Sequence, residues 1–316
     1  MQVVTVFGGS GFIGRTLVKR LAKTGAVIRV PVRNAEQAKK LKPMGDVGQI
    51  TPFRIDIASD AEIAAAVADA DAVVNLIGIL YESGANRFAT VQGEAPGRIA
   101  GAAARAGIKH LVQVSAIGAD PSAPAAYARS KAAGEAGVRA ALPSAVILRP
   151  SIVFGPEDNF FNRFAALAQL MPALPLIGGG HTKFQPVYVG DVADAIMIAL
   201  TDPATMGRTF ELGGPTVYSF KALMELMLDE IQRRRLLVPL PFALAALQAR
   251  LLELLPAPLL TRDQVALLRR DSVVSPGAET LRDLGLTPTA LQAILPTYLD
   301  RFRAGGRFAP LPANRR

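Results

Sequence analysis

The chain has no cysteine and no tryptophan, only two histidines, and 6% aromatic residues in 316 positions. Without cysteine there is no disulfide, no thiolate nucleophile and no cysteine-type metal site, a composition that suits a reducing compartment. With His110 and His181 as the only imidazoles, a histidine-based metal centre is nearly excluded, and no metal is expected. No stretch supplies the ~18 uninterrupted apolar residues of a spanning helix. The most apolar one, 236–260, is interrupted by Gln248, Arg250 and Glu253. The first residues show neither a charged-then-apolar leader nor an Arg/Ser-rich presequence, so the fold is expected to begin at once in a soluble or peripheral protein. Acidic residues are the minority: 26 against 35 Lys plus Arg leave a net charge of +9. That excess favours anionic partners such as phosphates, an acidic lipid surface or acidic proteins. Basic residues are not interleaved with aromatics, and apart from Arg233, Arg234 and Arg235 the arginines are scattered, so nucleic acid is not expected as a partner.

What is present begins at the first residues, MQVVTVFGGSGFIGRTLVKRLAKTGAVIRVPVRN. An apolar β-rich run, Val3–Phe7, leads into Gly8, Gly11 and Gly14 at a spacing of three, and Ile13, Leu17, Val18 and Leu21 then share one helical face. This is the strand–turn–helix of a dinucleotide site. Gly8 permits the tight turn, Gly11 lets a pyrophosphate approach the backbone, and Gly14 lets helix and strand pack closely, with free N–H groups facing the anion. The whole turn, Gly8, Ser10, Gly11, Phe12, Ile13, Gly14 and Arg15, is the expected phosphate seat.

Strand and helix signals keep alternating, as a doubly wound parallel sheet requires. Further strands are expected at Val27–Val32, 50–55, 72–76, His110–Val114 and 145–149. Helices are expected from a cap at Ser59 or Asp60, over 88–106, and from about Tyr127. Later, FQPVYVGDVADAI reads as a strand and then a helix with Asp191 as its N-cap. From Ser219 onward the chain reads as mostly helical and proline-punctuated, and 305–316 as loosely ordered. The expected division is a dinucleotide-binding domain over 1–155 with return segments at 184–214, and a smaller, mostly helical lobe over 156–183 and 215–316.

Three further groups carry chemistry. Arg33 follows the second strand, where an NAD-selective site usually places an acid; an arginine there suits the 2′-phosphate of NADP(H), with Arg15 as a second cation. The alternative is that both are solvated surface charges. Asp56, after the third strand, is placed either to accept from the adenine amino group or to cap a turn. Tyr127 and Lys131, spaced i,i+4, share a helical face, and Ser115 ends the fifth strand, where ligands sit in open α/β sheets. An ammonium beside the phenol lowers its pKa toward a usable acid. In the C-terminal part, Leu244, Leu247, Leu251 and Leu254 form one stripe behind the arginine cluster, which is either core or a face for a lipid interface or a partner's groove.

The set GGSGFIGR, DAVVNLIGIL, VQVSAIGAD, YARSK and LRPSIVFGP resembles the extended and atypical short-chain dehydrogenase/reductases. Over nearly the whole chain, NLIGIL, YARSKAAGE, RPSIVFGPEDNFFNRFA, FQPVYVGDVA and LLTRDQVALLRRDSVV are similar to the family of nucleotide-binding accessory subunits of respiratory complex I, NADH:quinone oxidoreductase. The resemblance implies a tightly held NADP(H), with NAD(H) the lesser choice, and a structural or regulatory role. It also implies complex I subunits near the quinone-binding arm as partners, and a peripheral location on the cytoplasmic face of the inner membrane. In that role Asn75 and Gly78 line the cofactor after the fourth strand. The competing expectation is a free-standing reductase or epimerase in which Tyr127 is the acid/base, Lys131 tunes it and holds the ribose, and Ser115 polarises a substrate carbonyl. A third is a dinucleotide-sensing regulator without turnover.

Overall fold

Short valine- and isoleucine-rich runs alternate with helices through the first 212 residues, and the computed structural model, which describes residues 2–256 and 258–306, arranges them as one sheet. In chain order come β1 (Val3–Phe7), α1 (Phe12–Ala22), β2 (Val27–Val32), α2 (Ala35–Ala38), β3 (Ile50–Arg54), α3 (Asp60–Val67), β4 (Ala72–Asn75), α4 (Ala95–Arg105), β5 (His110–Val114), α5 (Ala126–Ala141) and β6 (Val146–Pro150). The sheet runs β11–β6–β5–β4–β1–β2–β3, with β11 at Thr209–Leu212, and every pairing in it is parallel. Val4, Val6, Val73, Val74, Leu111 and Val112 are buried, as expected of strands with helices on both faces. Ser59 caps α3 as expected, its side chain accepting from the Glu62 N–H. The expected helix over 88–106 opens with a π-helical turn at Ala89–Glu94 before becoming regular.

The order of strands reverses between β1 and β4, and their carboxyl ends flank the crevice where doubly wound sheets bind ligands. The glycine turn follows β1, Asn75 ends β4, and Ser115 follows β5. All three stand at that one edge.

The later chain adds β7 (Val153–Phe154), α6 (Phe161–Leu170), β8 (Ala173–Ile177), β9 (Lys183–Phe184), β10 (Val187–Tyr188), α7 (Val189–Thr201), β12 (Tyr218–Ser219), α8 (Phe220–Glu230), β13 (Leu236–Leu240), α9 (Phe242–Leu252) and α10 (Arg262–Leu267). Phe154, Phe161, Phe184, Phe220, Met224 and Leu295 form a second core, separate from the one under the sheet. Asp158 is buried there and accepts from the N–H groups of Gly155, Phe160 and Asn162 and from the Tyr298 hydroxyl at 2.6 Å.

Two expectations need correction. Asp191 is not an N-cap: α7 starts at Val189 with Tyr188 before it, and the Asp191 carboxylate accepts from the N–H and Oγ of Thr289, each at 2.7 Å. A loop 98 residues away recruits the acid, a contact that local capping preference does not register. Residues 236–240, expected to be helical, form β13 and pair in parallel with β8. Pro239 disfavours a helix interior there, and a short apolar run reads the same in either structure. Residues 307–316 of the tail lie outside the described residues.

The leucine stripe is not core. On α9 the buried face is made by Ala245 and Ala249, packed with Val265 and Ile177, while Leu244, Leu247 and Leu251, with Leu254 just beyond the helix, are 52, 59, 64 and 83% exposed. Small residues let α9 lie close to its neighbours, which turns the leucines outward.

Candidate dinucleotide site

The glycine turn is built from main chain pressed against main chain. Gly8 has φ +75°, and a Cβ on it would lie 3.0 Å from the Leu76 carbonyl carbon. A Cβ at Gly14 would meet the Gly8 carbonyl oxygen at 2.5 Å and the Gly9 backbone at 2.6 Å, so α1 can approach β1 this closely only without a side chain. Gly11 is the N-cap of α1, with no side-chain cap and no acid in the first turn. The leading N–H groups of such a helix have no acceptor within it and carry the positive end of its dipole. A cradle that a Cβ would fill, beneath an uncapped helix start, fits a pyrophosphate. Ser10 contributes its carbonyl to this turn, Phe12 its ring edge near Gly155, and Ile13 packs toward the core.

Near the ends of β2 and β3 the charges divide. Arg33 is exposed at the end of β2, and its guanidinium donates to the Asn86 Oδ1 at 2.7 Å. Arg15 is already engaged: it donates to the Ser10 carbonyl at 2.7 Å and pairs with Glu157. Asp56 is exposed and accepts from the Ala58 N–H at 2.9 Å, the turn-capping role, while its second oxygen is not used in that bond.

At the other end of the crevice Lys131 lies between Tyr127 and the end of β5, after which Ser115 follows. Lys131 is buried, with its ammonium 3.4 Å from the Val114 carbonyl and 5.9 Å from the Tyr127 ring centroid. A Cβ on Gly78 would lie 3.2 Å from the Gln92 Oε1 and 3.3 Å from this ammonium, so a larger residue there would crowd both groups. The Ser115 Oγ is buried without a hydrogen-bond partner within the protein, so its hydroxyl is available to a bound group. Burial pushes Lys131 down to about 8, against the smaller pull of Glu135. The Tyr127 phenol moves the other way: burial and the Asp263 carboxylate push it up to about 12. The expectation that the ammonium lowers this pKa is therefore reversed: desolvation and the nearby Asp263 carboxylate both favour the neutral phenol.

Asn75 does not face outward with a free amide. It is buried, donating to the Gln113 Oε1 at 2.8 Å and accepting from the Ile77 N–H at 3.1 Å, so it shapes the loop after β4. Gln92, Gln113 and Asp263 were not singled out by sequence. Gln92, buried on the π-helical turn, accepts from the Ile79 N–H at 2.8 Å and donates to Ser130 at 3.0 Å. The π-helical turn that carries it is seen only in the structure, and such turns gather at functional sites.

A glycine cradle under a parallel sheet, with Ser115, Tyr127 and Lys131 at its far end, defines a Rossmann-type dinucleotide-binding protein. Residues 4–213 match the NAD dependent epimerase/dehydratase family. Over 96% of its length the chain is 42% identical to the mitochondrial NADH dehydrogenase (ubiquinone) 1 alpha subcomplex subunit 9 of Arabidopsis thaliana, covering 79% of that protein. It is 32% identical to the mitochondrial NADH-ubiquinone oxidoreductase 40 kDa subunit of Neurospora crassa, over 99% of this chain and 82% of that one. In fold it is similar to the dTDP-glucose 4,6-dehydratase of Streptomyces venezuelae solved with NAD, at TM-score 0.73, 20% identity and coverage of 94 and 96%. The chain belongs to the NAD dependent epimerase/dehydratase family and, within it, to the family of these subunit 9 and 40 kDa proteins.

Proposed function

We propose that this chain is a dinucleotide-binding accessory subunit of respiratory complex I, in which bound NADP(H) is a structural or regulatory ligand. The observation that carries the reading is the 42% identity, across 96% of the chain, to a protein named as a subunit of NADH dehydrogenase. The cofactor is a nicotinamide dinucleotide: the glycine cradle takes its pyrophosphate, and Ser115, Tyr127 and Lys131 stand where its nicotinamide half ends. Such a group supplies hydride transfer chemistry when bound. The chain's own residues hold and orient it, and a Tyr127 phenol pushed up to about 12 holds its proton at neutral pH. Arg33, in place of an acid after β2, favours the 2′-phosphate form; Arg15 already has an acid partner in Glu157.

Partners near the quinone-binding arm and a peripheral place on the cytoplasmic face of the inner membrane follow from the same reading. Among the described residues no helix is long and apolar enough to cross a membrane. The exposed leucines of α9, with Arg234 and Arg250 also exposed, suit a surface that is apolar and anionic, whether a partner subunit or acidic lipid. A second reading, a free-standing reductase or epimerase, is favoured by the unpartnered Ser115 hydroxyl beside an intact Tyr127 and Lys131.

Purification from the native membrane separates them. Co-purification with complex I subunits is expected, and a soluble homo-oligomer free of them overturns the reading. NADPH and NADH titrations with Arg33→Ala test the cofactor. The variant should lose about 1.5–3 kcal/mol of NADPH binding and little of NADH binding, and equal wild-type affinities remove Arg33 from its role.

A further inference from the structure

Helix α10 caps itself: the Thr261 Oγ accepts from the Gln264 N–H, and the Gln264 Oε1 accepts from the Thr261 N–H, both at 3.1 Å. Asp263, between them, is thereby free to serve another helix. Its Oδ1 accepts from the Ala126 N–H at 2.6 Å and its Oδ2 from the Tyr127 N–H at 3.1 Å, across 137 and 136 residues of chain. Helix α5 has alanine at its N-cap, no side-chain cap and no acid in its first turn. The missing cap and the missing countercharge both come from Asp263.

The rest of α10 is fastened around the same place. Ala266 and Leu267 pack on Ala123, Ala125 and Ala128, and Arg270 just beyond the helix pairs with Asp120 at 2.8 Å. Those partners lie on the loop after β5 and the start of α5, one wall of the crevice at the carboxyl ends of the strands. On the other side Gln264 reaches the Leu80 carbonyl, in the loop after β4, at 3.5 Å.

We propose that Asp263 is a positioning residue for Tyr127, pinning the start of α5 so that α10 closes the substrate side of the crevice while the glycine-turn side stays open to a dinucleotide. The proposal deepens the non-turnover reading above and rests on it only for the absence of a second substrate. The groups facing Tyr127 are few. Lys131 approaches from its own helix, Asp263 from α10 and the Phe88 ring from the π-helical turn, while Glu135 acts on Lys131.

Tyrosinate absorbance, taken as the difference between a chain and its Tyr127→Phe counterpart, isolates this phenol from the other four tyrosines. In Asp263→Asn, which keeps an acceptor and loses the charge, the Tyr127 titration should move down by about one pH unit, and the Ala126 and Tyr127 amides should exchange faster with solvent. A residue that merely supports the fold would not move the phenol. An unchanged titration in a folded Asp263→Asn chain overturns the proposal. If that variant does not fold, the unaltered chain still decides: positions one and two of a helix ordinarily have open amides, so rapid exchange at Ala126 and Tyr127 overturns it and protection supports it. All of these readings use the purified chain alone. A chain that gives them but fails to assemble with complex I refutes the proposed function and leaves the role of Asp263 standing.

Discussion

Between Gly8 and Gly14 the proposed seat for the dinucleotide is main chain from a single turn, whereas the Tyr127 end of the same crevice is side chains from four separated stretches, Gln92, Ser115, the start of α5 and Asp263, with Gly78 leaving room beside Lys131. The first end is limited by space. A Cβ at Gly14 has nowhere to go, and nothing in the turn titrates. The second end is limited by charge and water. Its groups fit, but burial drives the lysine toward neutrality and the phenol away from ionisation. A backbone seat therefore serves binding at any ordinary pH, while a pair made of a buried lysine and a half-buried tyrosine serves chemistry only if something adjusts its protonation.

The comparison breaks most sharply at Gly14. Gly14→Val places atoms against the Gly8 carbonyl and the Gly9 backbone, and should cost about 3 kcal/mol in stability, with dinucleotide binding lost at temperatures where the chain still folds. Thermal melts with and without NADPH measure both. Normal binding by this variant would show that the turn is not the seat.

Lys131 sharpens the other side. Its folded value lies near 8 and its ordinary value at 10.5, so between those limits the unfolded chain holds a proton that the folded chain has released. Stability should rise with pH across that window, by at most about 1.4 kcal/mol per pH unit. Tyr127 opposes the rise only above pH 10, because its folded form keeps its proton up to about 12. Urea unfolding at pH 8 and pH 10 should therefore show a rise in the wild type that Lys131→Gln lacks; parallel behaviour of the two chains would mean that the lysine is well solvated.

The smallest effect on stability is expected far from both ends. Leu247→Asp with Leu251→Asp changes two leucines that are 59 and 64% exposed, and folding stability should move by no more than about 0.5 kcal/mol. Association with the membrane complex should nevertheless be lost, as seen by sedimentation of native membranes. An unfolded double variant, or one that still sediments, contradicts the docking face.

The two ends also differed in how far they could be read from sequence. Glycines at a spacing of three after Val3–Phe7 announce a turn because each local requirement, a positive φ or a close approach, is met by one residue type. Tyr127 and Lys131 were visible through their i,i+4 spacing, and Ser115 through its place after β5. Gln92, Gln113 and Asp263 were invisible, since a buried amide or a cap supplied from 137 residues away has no local pattern. Asp191 was misread for the same reason: a carboxylate near a helix start looks like a cap unless Thr289 is known to be beside it.

By itself the sequence determined the parallel sheet, the position of its glycine turn and the residue types gathered at the crevice, because strand period, helix period and glycine tolerance are properties of neighbouring residues. Only the tertiary structure decided that Ala245 and Ala249 face inward while the leucines of α9 face out, that Glu157 engages Arg15, and that Asp263 closes on Tyr127. Each of those outcomes depends on which distant segment packs against a given surface or charge, and therefore on desolvation and pairing that no local window contains.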